Sequence, residues 1–266
     1  MSLSRLVSLV SLLVLLFSGY KMVEYYVESY TTEQTYEELH KSFQISSMQS
    51  RLEERIVNER LLGSVHKNDE LTDQQDEPQI IMEQFQSLLV ENEETVGWIS
   101  VPNTRIQYPV VKTSDNEYYL EHDFHGNQAS AGSIFMDYRN EGDASDRHTI
   151  IYGHHMKDGT MFKELEKYKE KDFFHNNSII TLQTLYEEVE WEIFSAYVTS
   201  TDFYYIVTHF RSNRDFVDFA AELKKKSIFP TNIEIGETDQ ILTLSTCSYE
   251  FDDARYVVHA RRVVEE

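Results

Sequence analysis

Cys247 is the one cysteine among 266 residues, and it closes the run Gln240-Ile241-Leu242-Thr243-Leu244-Ser245-Thr246-Cys247. A thiol becomes a nucleophile when a neighbouring base or cation favours thiolate and a donor stabilises the oxyanion formed from the substrate carbonyl. Two other stretches offer such partners. Ile150-Ile151-Tyr152-Gly153-His154-His155 is an apolar run that passes through Gly directly into His. Gly permits a sharp turn, so an imidazole at His154 would emerge at a strand end, as the thiol does. Arg255 opens the run Tyr256-Val257-Val258-His259-Ala260, and its guanidinium keeps its charge and donates several hydrogen bonds. Each residue also has a plainer reading. A cysteine can be a small buried hydrophobe, a histidine can cap a strand from a loop, and Arg255 can pair with Asp252 or Asp253 at the surface. Chain spacing alone does not choose between these. Two adjacent histidines seldom converge on one ion, and neither HExxH nor clustered Cys/His spacing is present, so no metal is expected.

The elements that must position these residues are short strands. Residues 240–246 are β-branched and apolar, and 149–153 and 255–264 read the same way. A hairpin joining 240–246 to 255–264 would return Arg255 beside Cys247. Further strands are predicted at 96–101, 106–111, 132–136, 178–182 and 190–199, with a turn at Pro102-Asn103-Thr104. Pro109 places the 106–111 strand at a sheet edge. Residues 80–92 read as a helix with Ile81, Phe85, Leu88 and Leu89 on one face. Residues 215–227 read as a second, its acidic start and Lys-rich end suiting the helix dipole. A papain-type arrangement is disfavoured, because there the cysteine opens a helix rather than ending a strand. Many short strands with few helices make the fold mainly β, a barrel or sandwich carrying helical insertions.

The formal charge of -22 argues against nucleic acid and against anionic lipid as partners. Seventeen Tyr and fifteen Phe can furnish a substantial core. A lone cysteine forms no internal disulfide, and in an exported chain it flags a free, reactive thiol. Export is indicated by residues 6–23, where Lys21 is the sole interruption of an apolar run close to the roughly 20 residues that span a bilayer. Lys21 can snorkel to the interface. A cleaved signal has an apolar region of about 7–15 residues, and no small-x-small site follows Ser18-Gly19, so an uncleaved anchor is expected. Arg5 precedes the span and acidic residues follow it, which leaves the bulk of the chain outside the cytoplasm. Beyond the span, Leu39, Phe43, Met48, Leu52, Ile56, Val57, Leu61 and Val65 recur at spacings of three and four. That period predicts one amphipathic helix or two, a spacer packed loosely on the main domain. Residues 68–79 (NDELTDQQDEPQ) read as an acidic linker.

The combination of Thr243-Leu244-Ser245-Thr246-Cys247, an Arg opening the next strand, and Tyr152-Gly153-His154 upstream resembles the sortases, class B in particular. Ser114-Asp115-Asn116-Glu117-Tyr118-Tyr119-Leu120, Gly132-Ser133-Ile134-Phe135-Met136-Asp137 and the helix ahead of the Cys strand extend the resemblance over residues 80–264. It implies a closed β-barrel of about eight strands with N-terminal helices and a helical insertion before the Cys strand. The implied organisation is an anchor at 1–23, a helical spacer and linker at 24–79, and a catalytic domain at 80–266. It implies Cys247 as nucleophile on a C-terminal sorting signal, cleaved after Thr. His154, rather than His155, would be the acid/base, and Arg255 the group holding substrate backbone and oxyanion. Substrate-groove positions fall on Asn116, Leu120, Tyr152, Thr201, Tyr205, Ile206, Ser245 and Thr246. The partners implied are surface proteins bearing a sorting signal and a peptidoglycan amine; neither cofactor nor catalytic metal is implied. A Lys acceptor, as in pilin-polymerising sortases, is an alternative, and a non-catalytic surface module is a more remote one. Class B members often carry an acidic residue directly after the Cys, where this chain has Ser248.

Overall fold

The β-branched runs form eight strands, in a computed structural model that describes residues 3–62, 80–247 and 254–264. The predicted linker 68–79, Val65, Ser248, Asp252, Asp253 and the side chains of Leu61 and Cys247 lie outside the described residues. The strands are β1 (Thr95–Ser100), β2 (Gln107–Val111), β3 (Phe135–Met136), β4 (His148–Tyr152), β5 (Ile179–Thr184), β6 (Glu188–Thr199), β7 (Ile241–Cys247) and β8 (Arg255–Arg262). They close into a barrel in the order β1-β2-β3-β4-β7-β8-β6-β5. The β2/β3 and β4/β7 contacts are parallel, and the other pairings are antiparallel. Closure leaves none of these strands as an edge, so the edge placement expected from Pro109 does not hold. The residue is tolerated for a local reason. Val101 donates to Ile106 across the turn, so by alternation the Trp98–Pro109 pair is a non-hydrogen-bonded one. The imide nitrogen therefore faces β3, which pairs with β2 at Val111 alone, and no ladder bond is lost.

Both faces of β7 and β8 are buried, which explains their near-continuous apolar sequence. Leu242, Leu244, Tyr256, Val258 and Ala260 face the barrel interior with Ile99, Ile151 and Trp191. Ile241 and Val257 face outward, into a second cluster with Phe194, Tyr205, Phe216 and Leu223. That outer layer is a strap after β6, residues 200–211, and the helix that follows it (Asn213–Lys225). The Ser212 side chain caps this helix by accepting from the Asp215 amide, and Lys224 and Lys225 close the last turn.

The predicted helix at 80–92 is a 3-10 turn (Glu83–Phe85) leading into a short α-helix (Gln86–Glu91), with Phe85 and Leu88 buried. The predicted strand at 132–136 shortens to Phe135–Met136, because Gly132 takes a positive φ of 57° in a turn. A 3-10 helix, Phe162–Lys169, has no counterpart among the expected elements; its buried residues Phe162, Leu165 and Tyr168 recur every third position, the 3-10 period.

The N-terminal segment is one helix, α1 (Leu3–Leu62), about 90 Å long at 1.5 Å per residue. It is docked rather than loosely packed. Tyr36, Leu39 and Phe43 are buried, Phe43 stacks on Trp98 with centroids 4.3 Å apart, and Tyr36 meets Tyr108 edge-on at 5.2 Å. The remaining periodic positions Met48, Leu52, Ile56 and Val57 are exposed.

Candidate active site

The register of three strands assembles the site. In the parallel β4/β7 pair, Ile151 lies opposite Leu244 and Tyr152 opposite Ser245. The Gly153 amide then donates to the Ser245 carbonyl at 3.2 Å. His154 and Cys247 each follow that matched pair by two residues, so they leave the sheet at the same rim. Across the antiparallel β7/β8 pair, Cys247 is opposite Arg255. The cysteine position is thus flanked by the histidine's strand on one side and the arginine's on the other. Gly153 is needed here for room rather than for a left-handed turn: a Cβ would lie 2.4 Å from Ile134 Cδ1 and 2.9 Å from the Phe162 ring.

The two histidines diverge, as neighbours on an extended chain do. His154 lines the groove at this rim, and its Nε2 is 2.7 Å from the Leu120 carbonyl. A carbonyl only accepts, so Nε2 carries the hydrogen in this contact. His155 is buried and turns toward Glu166, 3.1 Å away, and Lys163. Burial works against charge on Glu166, yet Lys163, Lys169 and His155 together hold its carboxyl down at about 2. Arg255 is partly buried and donates to the Ala254 carbonyl at 3.1 Å. Among the described residues, no group of three or more His, Cys, Asp or Glu side chains is placed to hold a metal.

His154 and Arg255 border a groove of about 340 Å³, and all eight predicted groove positions line it. Asn116 and Leu120 come from the segment after β2, Tyr152 from β4, Ser245 and Thr246 from β7, and Thr201, Tyr205 and Ile206 from the strap. The strap is tied to β7 by the Tyr205 and Ser245 hydroxyls at 2.8 Å. Thr246 Oγ1 is buried and has no partner among the described residues.

Beneath the groove lies a pair that the sequence reading missed. Asp137, whose side chain has 0% exposure, accepts from Arg139 Nε and Nη2 at 2.7 Å each, from the Tyr152 hydroxyl at 2.8 Å and from Asn116 Nδ2 at 3.0 Å. Burial alone would raise its pKa, but Arg139, Tyr152 and Asn116 outweigh that and hold it below the usual carboxylate range. Burial, reinforced by this carboxylate, holds the Tyr152 hydroxyl well above the ordinary tyrosine range. Arg139 also donates to the Tyr204 hydroxyl at 3.0 Å and the Ile206 carbonyl at 3.1 Å. This partly buried ion pair therefore braces both the floor and the strap of the groove. An acidic residue directly after the apolar Ile134-Phe135-Met136 was its available signal, since a charge in such a place demands a partner.

A closed mixed barrel, with Cys, His and Arg at one rim beside a peptide-sized groove, has the makings of a thiol-dependent acyl-transfer enzyme. A family model for the sortase domain matches residues 99–263. Sortase B of Listeria monocytogenes is 40% identical over 187 residues, 70% of this chain and 76% of that protein. Sortase B of Staphylococcus aureus is 34% identical over 266 residues, 98% of each chain. The solved S. aureus sortase B–substrate complex matches with a TM-score of 0.74 at 32% identity, over 90% of this chain and 100% of that one. The chain belongs to the sortase family of cysteine transpeptidases, and within it to class B.

Proposed function

We propose that this transpeptidase is membrane-anchored through residues 1–23, cleaves a C-terminal sorting signal after Thr, and transfers the protein to a peptidoglycan amine on the outer side of the membrane. Residues 24–79 form the spacer and linker, and 80–266 the catalytic domain. Cys247 attacks the scissile carbonyl and forms the thioacyl-enzyme. His154 protonates the departing amine and later takes a proton from the incoming one. Arg255 holds the substrate backbone and the oxyanion. Asn116, Leu120, Tyr152, Thr201, Tyr205, Ile206, Ser245 and Thr246 hold the sorting signal. The observation that carries this reading is the shared register of β4, β7 and β8: His154 follows the end of β4 by two residues, Cys247 ends β7 and Arg255 opens β8, all toward one rim. The anchor is supported by a wholly exposed apolar window in α1 with mean hydropathy 2.0. Exposed Tyr20 lies near its end and exposed Tyr25, Tyr26 and Tyr30 follow it, residues suited to a membrane–water interface.

The test is thioacyl capture from a pentapeptide library with hydroxylamine, reading hydroxamates by mass spectrometry. The expected product is a hydroxamate on a terminal Thr, absent with Cys247→Ala. His154→Ala should lose at least about 100-fold in rate, and His155→Ala far less. Capture by Cys247→Ala would refute the nucleophile, a reversed histidine order would refute the choice of His154, and hydroxamate on another residue would refute cleavage after Thr.

A further inference from the structure

A second cavity, of about 1040 Å³, lies between α1 and the 120–130 segment. It shares two lining residues with the substrate groove, Leu120 and His154. The contact between His154 Nε2 and the Leu120 carbonyl thus forms part of the partition between the two spaces. A transpeptidase needs this arrangement, because the amine must reach the thioacyl carbon while the acyl chain still fills the groove. The walls of the second cavity carry Glu24, Glu28 and Glu121. Lys21 pairs with Glu24 at 2.7 Å, and Glu28 accepts from the Ser130 amide, so Glu121 is the carboxylate without such a contact among the described residues. The cavity is held in place from both sides: Glu28 binds Ser130, and the Ser29 hydroxyl donates to Asp158 at 2.6 Å. Its outer rim is Tyr20 and Val23, at the end of the apolar stretch.

We propose that this cleft is the acceptor site, taking a primary amine that is cationic in solution and arrives at the level of the membrane interface. The proposal rests on the function given above. The carboxylates concentrate the ammonium form, which loses one proton to solvent as it moves toward His154. The neutral nitrogen forms the C–N bond to the thioacyl carbon, its departing proton passes to the imidazole, and the C–S bond breaks to return the thiolate. The imidazolium then reprotonates the sulfur, which balances the step.

Steady-state kinetics on the full-length protein in detergent tests this, with a saturating donor peptide and two acceptors. One is diglycine amide, a cationic amine; the other is hydroxylamine, uncharged at neutral pH. Glu121→Lys should raise the KM for diglycine amide about tenfold relative to that for hydroxylamine, since one charge is reversed close to a cation. That difference should shrink at high salt. Val27→Trp, a substitution at an exposed cavity wall, should raise the KM for diglycine amide and spare that for hydroxylamine. Equal shifts for both acceptors, or none in either variant, would overturn the acceptor site. Loss of hydroxylamine capture in the wild-type protein would instead overturn the underlying function.

Discussion

Asp137 and Arg139 touch the groove through other residues, so their effects separate from those of groups that meet the substrate. Arg139 spends its planar fork on both Asp137 oxygens while reaching the Tyr204 hydroxyl and the Ile206 carbonyl. A lysine keeps the charge but not that geometry. Arg139→Lys should therefore raise the KM for the donor peptide about tenfold or more, with kcat changed much less, because the groove wall moves and the rim does not. Equal losses in kcat and kcat/KM would place Arg139 in the chemistry instead. Arg139→Ala should behave differently again. It leaves a buried carboxylate uncompensated, at a cost of about 3–5 kcal/mol, and chemical denaturation would register that loss. His155 belongs to the same scale. Its place beside Glu166 and Lys163 makes it part of the wall behind the rim, whereas its neighbour His154 lines the groove.

The strap and the helix after it are secured to the barrel by a directional chain of buried groups. The Tyr197 hydroxyl donates to His259 Nε2 (3.0 Å), His259 Nδ1 to Thr243 Oγ1 (2.7 Å), the Thr243 hydroxyl to His148 Nε2 (2.6 Å), and His148 Nδ1 to the Val207 carbonyl (2.6 Å). Each donor meets an acceptor only if both imidazoles are neutral. Burial pushes His148 down to about 4 and His259 well below its ordinary value. In the unfolded chain both return to about 6.5. Above that value both states are neutral and the full stability is present. As pH falls from 6.5 toward 4 the unfolded state takes up protons that the folded state refuses, and stability is lost. For His148 alone the loss is on the order of 3 kcal/mol. Urea midpoints should thus decline through that window, ahead of carboxylate titration. His148→Gln should start less stable at neutral pH but decline less steeply. A flat wild-type profile between pH 6.5 and 4 would show that these imidazoles are not held neutral.

Across the whole molecule, what the sequence made legible was local and what it concealed was relational. The Cys strand, the Gly-His step and the strand opened by Arg255 are each visible as apolar runs with one odd residue. Their convergence depends on β4 and β7 being parallel, a pairing that leaves no mark in either run. The family resemblance supplied that relation, and the register explains it. The 3-10 helix at 162–169 was hidden because its period of three matches neither the helix nor the strand template. Periodicity misled in α1 in the opposite direction: it marked apolar positions to Val65, yet burial within the described helix stops at Phe43. Beyond Phe43 the charged Arg51 still reaches the barrel, at 3.8 Å from Glu188 of β6, while the apolar Met48, Leu52, Ile56 and Val57 stay exposed. This docking can be tested directly, because the chain holds two tryptophans. Trp191 is fully buried in the barrel, while Trp98 lies under Phe43 with 2% of its surface exposed. A Tyr36→Ala/Phe43→Ala variant should release this part of α1 and wet Trp98 but not Trp191. The expected result is a red-shifted tryptophan emission, quenched more strongly by iodide, with β-sheet circular dichroism retained. An unchanged emission spectrum in that variant would mean that α1 does not cover Trp98 in solution, and the cavity beside His154 would then lose one of its walls.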